Sequence, residues 1–446
     1  MPQSRPQPST ILIVGGGALG VSTAISLLQR PKYSNTAIAI VDASPKFPNR
    51  SAASWDTSRI LRADYAEKAY TKLVSQAWKY WNDVSSDAWG GAGRYHDAPL
   101  LLTSQPGVDG HVDGYLEESL ANVKDLARSG DYDFSLNDIK ELPNKEAIKG
   151  ASGFPGTSGD FGYMNDKCGW VNAEAVVKYL YEKLEQVWRD RVEVKPASKV
   201  RQLLYEGHGS PLRCSGVEIE GGTHLYADLT ILAAGAWTPS LIDFHGRAVA
   251  TGQVLSYITL TEAEQQTLSP MPIYFNMSRG MFMVPAHNGE LKWGRHGYGY
   301  QNPTSMHLEG KDVLVSVPRP DLPIPAEAET ACKEFLLELF PHWKDKQVTK
   351  TRLCWYCDTP TGDFLIDYHP HYQDLFLVTG DSGHGFKVLP VIGDKVVDAI
   401  DGELDQELQR LWRWREAAPG PWSGTDDGTR GGRRGMILND EIEAGT

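Results

Sequence analysis

The chain has 446 residues, of which 41% are hydrophobic and 23% charged, so its composition is that of a folded globular protein and excludes a disordered or fibrous chain. Its formal net charge of −13 argues against binding to nucleic acid or to anionic membranes, because both would repel it. No apolar run is long enough to span a membrane and no signal-peptide core precedes the first predicted strand, so we expect a cytoplasmic protein with two domains.

The first predicted elements are a strand, a tight turn and a helix, read from TILIVGGGALGVSTAISLLQR. Gly15, Gly17 and Gly20 form a G-x-G-x-x-G pattern in the turn, and a second buried strand, AIAIV, leads to Asp42. In such a unit the glycines allow the turn and the close approach of a pyrophosphate, the helix N-terminus attracts its charge, and the acid accepts ribose hydroxyls. Glycines alone also occur in ordinary turns, but the complete pattern predicts a dinucleotide site.

A later strand, TILAAGAW, distinguishes the kinds of dinucleotide. Ala234 and Gly235 at its end return the chain to the cofactor domain after a long excursion through helices and hairpin-like strands. A discontinuous cofactor domain of this kind is typical of flavoproteins that bind FAD, whereas NAD domains are usually continuous. An ordinary buried strand is the alternative reading of this segment.

The remaining elements are strands and loops from about 246 to 349 with one helix near AETACKEFLLELF, and then a helix at LPVIGDKVVDAIDG. The Gly- and Arg-rich stretch APGPWSGTDDGTRGGRRG follows, and its composition predicts a flexible or partner-held segment. No internal repeat is visible.

Cys354 and Cys357 form a C-x-x-C pair in RLCWYCDTP. The five cysteines of the chain are odd in number and scattered, which is unlike a disulfide framework. A zinc site would need a second Cys or His pair at metal spacing, so we predict no metal. A redox pair and two inert buried thiols are the other readings that the residues alone leave open.

Five blocks together resemble the monomeric sarcosine oxidase family, in particular its fungal branch of saccharopine, pipecolate and fructosyl amino acid oxidases: GGGALG with VDA, SWDTSRILRADY, LKWGRH, CWYCDTP and SGHGFK. The resemblance implies a monomeric α/β enzyme that oxidises secondary amines of amino acids with covalently held FAD and molecular oxygen. It implies a discontinuous Rossmann-type FAD-binding domain, 10–90, 160–245 and 350–415, beside a sheet-based substrate domain, 91–159 and 246–349, with a C-terminal tail, 416–446.

The resemblance assigns roles to the residues nearest the cofactor. Cys354 matches the cysteine that forms a thioether to the flavin, and a thiolate is the nucleophile such a bond needs. Arg59 matches an arginine that lies against the flavin. Lys292 matches a lysine that helps oxygen react, where a buried cation would stabilise the developing negative charge. From spacing alone, Lys292 would be an exposed strand lysine.

The resemblance also assigns the substrate contacts. Arg62 and Lys387 match the cations that hold the substrate carboxylate, for which a planar guanidinium is well suited. His296 matches a histidine beside the substrate amine, and Tyr356 an aromatic residue over the substrate. His384 is read equally as a site residue or as a structural, backbone-bonded histidine. Without the resemblance, arginines three apart at 59 and 62 would be a solvated pair on one face of a helix.

The substrate contacts include Gly383, where a missing side chain lets the backbone lie close to the ligand. The expected cofactor contacts, in full, are Gly15, Gly17, Ala18, Leu19, Gly20, Asp42, Ser58, Arg59, Val200, Ala234, Gly235, Cys354, Gly383, Gly385, Phe386 and Lys387.

The resemblance therefore implies an FAD-dependent oxidase of a secondary amino acid, such as saccharopine, pipecolate or an N-methyl amino acid, that yields an imine and hydrogen peroxide. DTSRILRADY departs from the fructosyl amino acid oxidases, and the final residues lack a Ser-Lys-Leu type signal, so a cytoplasmic place is favoured over a peroxisomal one. The alternatives are a fructosyl amino acid oxidase, an amine oxidase that tailors a secondary metabolite, and a flavin-binding protein without turnover.

Overall fold

The computed structural model describes residues 6–108, 114–130, 132–207, 211–417 and 420–445. Its strands, in chain order, are β1 Thr10–Val14, β2 Ala37–Val41, β3 Arg59–Leu61, β4 Tyr95–Asp97, β5 Leu100–Ser104, β6 Ile139–Leu142, β7 Phe161–Asn165, β8 Gly169–Val171, β9 Val192–Lys195, β10 Val200–Glu206, β11 Leu212–Ile219, β12 His224–Tyr226, β13 Leu229–Leu232, β14 Val249–Thr259, β15 Ile273–Asn276, β16 Met281–His287, β17 Glu290–Tyr300, β18 Pro303–Leu308, β19 Lys311–Ser316, β20 Lys350–Asp358, β21 Leu365–Tyr368, β22 Tyr372–Gln373 and β23 Leu375–Thr379. Its α-helices are α1 Ala18–Gln29, α2 Lys68–Trp81, α3 Tyr115–Ser129, α4 Lys145–Ser152, α5 Ala173–Trp188, α6 Glu262–Leu268, α7 Ala326–Leu339, α8 Leu389–Asp401, α9 Gln406–Trp412 and α10 Leu438–Glu443.

The first layer is a six-stranded sheet in the order β21-β23-β13-β1-β2-β9. Parallel pairing joins β2, β1, β13 and β23, while β21 is antiparallel at one edge. The helices α1, α5 and α8 pack together, and Ile13, Val21 and Val396 are fully buried in one core with them. Such a sheet is covered on its faces, which explains why its strands read as continuous apolar runs. The predicted strand, turn and helix at residues 10–29 are all present.

The second layer is an eight-stranded sheet in the order β20-β14-β17-β16-β15-β5-β7-β6. Its long strand β14 pairs antiparallel with both β17 and β20. The strand β20 therefore carries the CWYC block at the edge of this sheet, although it lies within the 350–415 segment predicted for the FAD domain. The domain bounds themselves stay a prediction.

Two smaller sheets complete the positioning of the site. The hairpin-like series predicted after residue 190 forms the antiparallel strands β10, β11 and β12, which β22 joins. The three-stranded sheet β3-β8-β4 holds Arg59 at the start of its edge strand. Among the described residues, no helix is both long and apolar enough to cross a membrane.

The C-terminal tail packs against the protein where the structure describes it. Gly431 bridges Gly297 and Ile437 bridges Gln301, so the tail runs beside β17 and its end. The Arg430 side chain is fully buried. The expectation of a flexible segment is therefore wrong for residues 420–435, because glycines let this backbone approach its neighbours closely: a Cβ at Gly431 would lie 1.8 Å from a carbonyl oxygen.

Candidate active site

Each predicted glycine in the turn between β1 and α1 meets a different steric requirement. Gly15 has a φ of +109°, and a Cβ there would lie 2.4 Å from the carbonyl oxygen of Ala233. A Cβ at Gly20 would lie 2.0 Å from the carbonyl oxygen of Gly15. At Gly17 a Cβ would meet only the Ser54 hydroxyl, at 3.7 Å, so this glycine keeps space open in front of the helix.

A cavity of about 490 Å³, which we name the dinucleotide cavity, lies in front of this turn. The N-terminus of α1 opens on it without a side-chain cap, so its first-turn N–H groups are available to an anion such as a pyrophosphate. Gly20 and Gly385 do not line this cavity; Gly20 lies where helix and strand pack. The residues predicted for the cofactor that do line it are Gly15, Gly17, Ala18, Leu19, Asp42, Val200, Ala234 and Gly235.

Asp42 lies at the end of β2, as predicted, and its carboxylate also stabilises the turn. One oxygen accepts a hydrogen bond from the backbone N–H of Gly16 at 2.8 Å. The other accepts from the Ser44 N–H at 2.8 Å and the Asn49 amide at 3.0 Å. The carboxylate of Asp42 fits the ribose hydroxyls of a dinucleotide, and the uncapped helix turn beside it fits the pyrophosphate.

A second cavity, of about 340 Å³, lies against the eight-stranded sheet and is lined by side chains from distant parts of the chain. We name it the substrate cavity. The predicted residues that line it are Ser58, Arg59, Arg62, Lys292, His296, Cys354, Tyr356, Gly383, His384, Phe386 and Lys387.

Lys292 is buried on β17 and forms an ion pair that the sequence did not reveal. Its Nζ donates to a carboxylate oxygen of Asp56 at 2.8 Å and to the carbonyl of Ser58 at 2.8 Å. Asp56 also accepts from the Arg59 guanidinium and, at 3.0 Å, from the Tyr257 hydroxyl. The only feature of the sequence that could have drawn attention to Asp56 is its position in the SWDTSRILR block, beside the predicted arginines.

This cluster shifts the acid–base behaviour of its members. Burial lowers the pKa of Lys292 to about 8, with the nearby Arg59 acting in the same direction and Asp56 opposing both. Burial alone would raise the pKa of Asp56, but Lys292 and Arg59 hold it below its ordinary value. Asp56 therefore stays ionised, while Lys292 changes charge within an accessible pH range.

Arg59 and Arg62 do not share a helix face, so the helical reading of their spacing is wrong. Residues 59–61 form strand β3 and Arg62 directly follows it, so a strand end and not a helix face brings both side chains to the substrate cavity. Arg59 reaches the Asp56 carboxylate and donates to Cys354 Sγ at 3.5 Å. Cys354 is 1% exposed and lines the substrate cavity, whereas Cys357, on the opposite face of β20, lines the dinucleotide cavity.

Arg62 is held in an aromatic cage and has no acidic partner among the described residues. Its guanidinium carbon lies 4.9 Å from the ring centre of Tyr65, 5.7 Å from that of Tyr115 and 5.8 Å from that of Phe275. Both terminal nitrogens donate to the Tyr115 hydroxyl at 3.2 Å. That hydroxyl in turn donates to the carbonyl of Asp64 at 3.2 Å, which orients the cage.

Lys387 is the second cation in the cavity without a salt-bridge partner among the described residues, although the charge of Asp381 opposes the lowering of its pKa. Its side chain is buried, and within the described ranges its Nζ has no hydrogen-bond or salt-bridge partner. The Nζ lies 5.7 Å from the ring centre of Tyr65, the same ring that faces Arg62. Burial, followed by the charge of Arg62, holds the pKa of Lys387 well below its ordinary value. A bound anion would relieve both effects.

His296 and Tyr356 lie together at the cavity wall. The two ring centres are 5.8 Å apart, and His296 Nε2 is 3.1 Å from the hydroxyl of Thr429. Burial, and then the nearby Arg430, holds the pKa of His296 well below its ordinary value, so its ring is neutral. A Cβ at Gly383 would lie 2.1 Å from the Tyr356 ring, so only glycine lets this tyrosine pack there.

His384 has both ring nitrogens engaged with the protein. Its Nε2 lies 2.8 Å from the carbonyl of Gly362 and its Nδ1 lies 3.1 Å from the Tyr65 hydroxyl. Because a carbonyl only accepts, Nε2 carries the proton and Nδ1 accepts from the tyrosine. Of the two readings of this histidine, the geometry favours a structural one that fixes Tyr65; its substrate contact stays a prediction.

Several lining residues escaped the sequence reasoning. Tyr65, Tyr115 and Phe275 surround Arg62, and nothing in their spacing brings them together. Asp427 and Thr429 come from the segment that composition assigned to a flexible tail. Among the described residues, no group of three or more His, Cys, Asp or Glu side chains is arranged to hold a metal ion.

The comparisons with known proteins agree with this architecture. Residues 10–399 match the family model of the FAD dependent oxidoreductases, DAO. The chain is 30% identical over 480 residues to the amino acid oxidase imqH of Aspergillus flavus, covering 92% of this chain and 98% of that protein. It is also 30% identical over 416 residues to L-saccharopine oxidase of Schizosaccharomyces pombe, covering 91% and 93%.

Among solved structures, the fructosamine oxidase from Aspergillus fumigatus (Amadoriase II) is similar with a TM-score of 0.79 and 27% identity, covering 98% of this chain and 97% of that one. The predicted resemblance to the amine oxidase family, the α/β fold with a Rossmann-type FAD domain, and the flavin-dependent enzyme class are confirmed. The uncapped turn and the open space at Gly17 fit the FAD that this family uses. The chain therefore belongs to the family of FAD-dependent oxidoreductases.

Proposed function

We propose that this enzyme oxidises the C–N bond of an amino acid with a secondary amine, such as saccharopine, pipecolate or an N-methyl amino acid. The observation that carries the proposal is the pair of buried cations, Arg62 and Lys387, which face one aromatic ring and have no acidic partner among the described residues. Two uncompensated charges in one buried site are costly unless an anion completes them. The carboxylate of an amino acid is such an anion.

The residues around the clamp suit an amine held for oxidation. A carboxylate on Arg62 and Lys387 would carry the amine toward His296 and Tyr356, where a neutral imidazole does not repel a protonated amine. FAD, when bound, supplies the two-electron oxidation of the C–N bond and passes the electrons to oxygen. In balance, the amine loses two electrons and two protons to become an imine, and oxygen gains them as hydrogen peroxide.

Cys354 is the proposed point of covalent FAD attachment. Its sulfur lines the substrate cavity and accepts a hydrogen bond from Arg59 at 3.5 Å. A thioether would join Sγ to a carbon of the flavin ring with loss of one hydrogen from each, and oxygen would take up the two electrons and two protons as peroxide. The thiolate is the reactive form for this step.

Mass spectrometry tests the attachment. We expect an FAD adduct on the peptide that contains Cys354, retained after acid precipitation in the parent and in the Cys357→Ser variant. In Cys354→Ser the flavin should be released by acid. An adduct on Cys357, or complete release of flavin from the parent, would contradict the assignment.

The activity is tested by a peroxide assay on the FAD-loaded enzyme across sarcosine, pipecolate, saccharopine, N-methylated aromatic amino acids, fructosyl-lysine and fructosyl-valine. We expect turnover of at least one carboxylated secondary amine and poor turnover of its amide. Arg62→Ala and Lys387→Ala should each lower kcat/KM for the acid. The expected loss of transition-state stabilisation is about 2 to 5 kcal/mol, the cost of truncating one member of a buried charge pair. The exposed Lys68→Ala is the matched control and should change little.

Two outcomes would redirect the proposal. If the amide reacts as well as the acid, the cations do not hold a carboxylate, and an oxidase that tailors a larger uncharged metabolite is the better reading. If fructosyl amino acids are the best substrates, the alternative of a fructosyl amino acid oxidase is correct; the similarity to fructosamine oxidase, with a TM-score of 0.79, is the observation that favours it.

A further inference from the structure

The tail segment 420–445 supplies part of the wall of the substrate cavity. Asp427 and Thr429 line it, and Arg430 lies fully buried immediately behind them. A Cβ at Gly362 would lie 2.9 Å from the Asp427 Cβ, so Asp427 fits closely against the loop that faces it. Asp427 is therefore a fixed carboxylate inside the cavity and not a solvated tail residue.

The charges around Asp427 do not cancel. Arg430 pairs with Asp358 at 3.0 Å and with Asp427 at 3.3 Å, so one guanidinium serves two carboxylates. Asp358 is 1% exposed, whereas the Asp427 side chain is 16% exposed and lines the cavity. Because Arg430 is shared between two carboxylates, it neutralises Asp427 only in part.

Asp427 also keeps hydrogen-bonding capacity. Its Oδ1 accepts from the N–H of Thr429 at 2.9 Å and from the hydroxyl of Thr429 at 2.7 Å. Its Oδ2 accepts from Arg430 Nε alone, at 3.3 Å, among the described residues. A carboxylate oxygen has two acceptor positions, so Oδ2 can take a second donor.

The cavity is lined by side chains of both charges. Lys387 is 7% exposed and has no partner in the described chain, which indicates that one place in the cavity suits an anion. Glu67 and Glu118 also line it and have no salt-bridge partner among the residues described. A molecule that fills the cavity thus meets cations without a salt-bridge partner in the described chain and carboxylates that are unpaired or share one cation, a pattern that complements a ligand with both charges.

We propose that Asp427 is a specificity-determining residue, and that the amino acid oxidised here carries a second, cationic ammonium group besides its carboxylate and its reacting secondary amine. The carboxylate occupies Arg62 and Lys387, and the ammonium group donates to Asp427 Oδ2. This inference rests on the carboxylate clamp of the proposed function.

Binding of simple probes tests it separately from oxidation. The probes are ω-amino carboxylates from 3-aminopropanoate to 6-aminohexanoate and the plain carboxylates of the same chain length, none of which has a secondary amine. Their dissociation constants are measured on the FAD-loaded enzyme by calorimetry. At the best chain length, the ammonium group should tighten binding about tenfold or more, since it meets a largely enclosed carboxylate that shares its cation with Asp358. The matching ω-hydroxy carboxylate separates a charge requirement from a hydrogen-bond requirement.

Three variants locate the effect. Asp427→Asn should reduce the preference for the ammonium group to about twofold or less while the plain carboxylates bind as in the parent. Asp426→Asn removes a neighbouring, 61% exposed charge that pairs with Arg434, and should keep the preference. Asp427→Glu extends the carboxylate by one methylene, so the best chain length should shorten by one carbon.

Equal binding of both probe series to the parent, or an unchanged preference in Asp427→Asn, overturns the inference. Equal binding of the hydroxy and amino probes overturns the requirement for a cation. If Asp427→Asn does not fold, the chain-length shift in Asp427→Glu decides, and no shift counts against Asp427. The probes can bind as expected while no secondary amine is oxidised; that result overturns the proposed function and leaves the charge recognition standing.

Discussion

The two cavities of this protein are built in different ways. The dinucleotide cavity depends on a short stretch of chain, where Gly15, Gly17 and Gly20 shape a turn and backbone N–H groups at the start of α1 face the ligand. The substrate cavity depends on side chains, several of them charged, from β3, β17, β20, the loop after β23 and the tail. Its ion pair between Asp56 and Lys292 joins residues 236 positions apart.

The two sites therefore tolerate different substitutions. A site made of backbone groups is sensitive to added volume at its glycines and indifferent to most side-chain changes. A site made of buried charges is sensitive to the loss of any one partner, because the remaining charge is left without compensation.

The largest effect is expected at Arg430, which joins the tail to the cavity wall. Arg430→Ala leaves Asp358 fully buried without its cation and should lower the free energy of unfolding by about 3 to 5 kcal/mol, measured by urea denaturation. Arg433→Ala is the control on the same tail, because its guanidinium is 66% exposed and pairs with Glu441. That control should change stability by no more than about 1 kcal/mol. A similarly small loss in Arg430→Ala would mean that the tail is dispensable to the cavity.

The next effect is expected at Lys292. Lys292→Met should raise the activation free energy for the reaction of reduced enzyme with oxygen by about 2.7 to 4 kcal/mol, the effect of removing one preorganised electrostatic group. Reduction by substrate should change much less, because Lys292 contacts Asp56 and Ser58 and not the cations of the clamp. Stopped-flow absorbance of the two half-reactions measures both. Equal losses in the two would refute an oxygen-specific role.

The pKa of Lys292, lowered to about 8 by burial, adds a pH signature to the same residue. Below this pH the ammonium group is charged, and above it the charge is lost, so the oxygen reaction should slow as the pH rises through about 8. The slope should approach tenfold per pH unit. In Lys292→Met this dependence should disappear; its persistence would assign the titration to another group.

The smallest effect is expected in the dinucleotide cavity. Gly17→Ala adds a methyl group where only the Ser54 hydroxyl lies nearby, so the turn can form but the ligand loses space. In a Cys354→Ser background, FAD should bind about 1 to 3 kcal/mol more weakly, the usual cost of overfilling a packed site. Fluorescence titration of the apoprotein with FAD measures this. Unchanged affinity would show that Gly17 does not border the bound cofactor.

Much of this protein could be predicted from local sequence. The strand, turn and helix at residues 10–29 follow from an apolar run, a glycine pattern and helical spacing, all of which act between neighbours in the chain. The residues that match family blocks, such as Lys387 and Cys354, do line the substrate cavity, because each block keeps its local geometry. The strand character of residues 59–61 was not evident, since three residues carry too little periodicity.

Which charges are paired and which are not could not be predicted from the sequence. Asp56 pairs with both Lys292 and Arg59, Arg62 lies in an aromatic cage, and Lys387 has no salt-bridge partner in the described chain. Asp427 enters the cavity from a segment whose composition predicted flexibility. The turn chemistry could be predicted from the sequence because it depends on short-range geometry, and FAD could be predicted from the return of the chain at TILAAGAW and from the family blocks. The charge pattern that selects a substrate depends on pairs hundreds of residues apart, whose distances exist only in the folded chain.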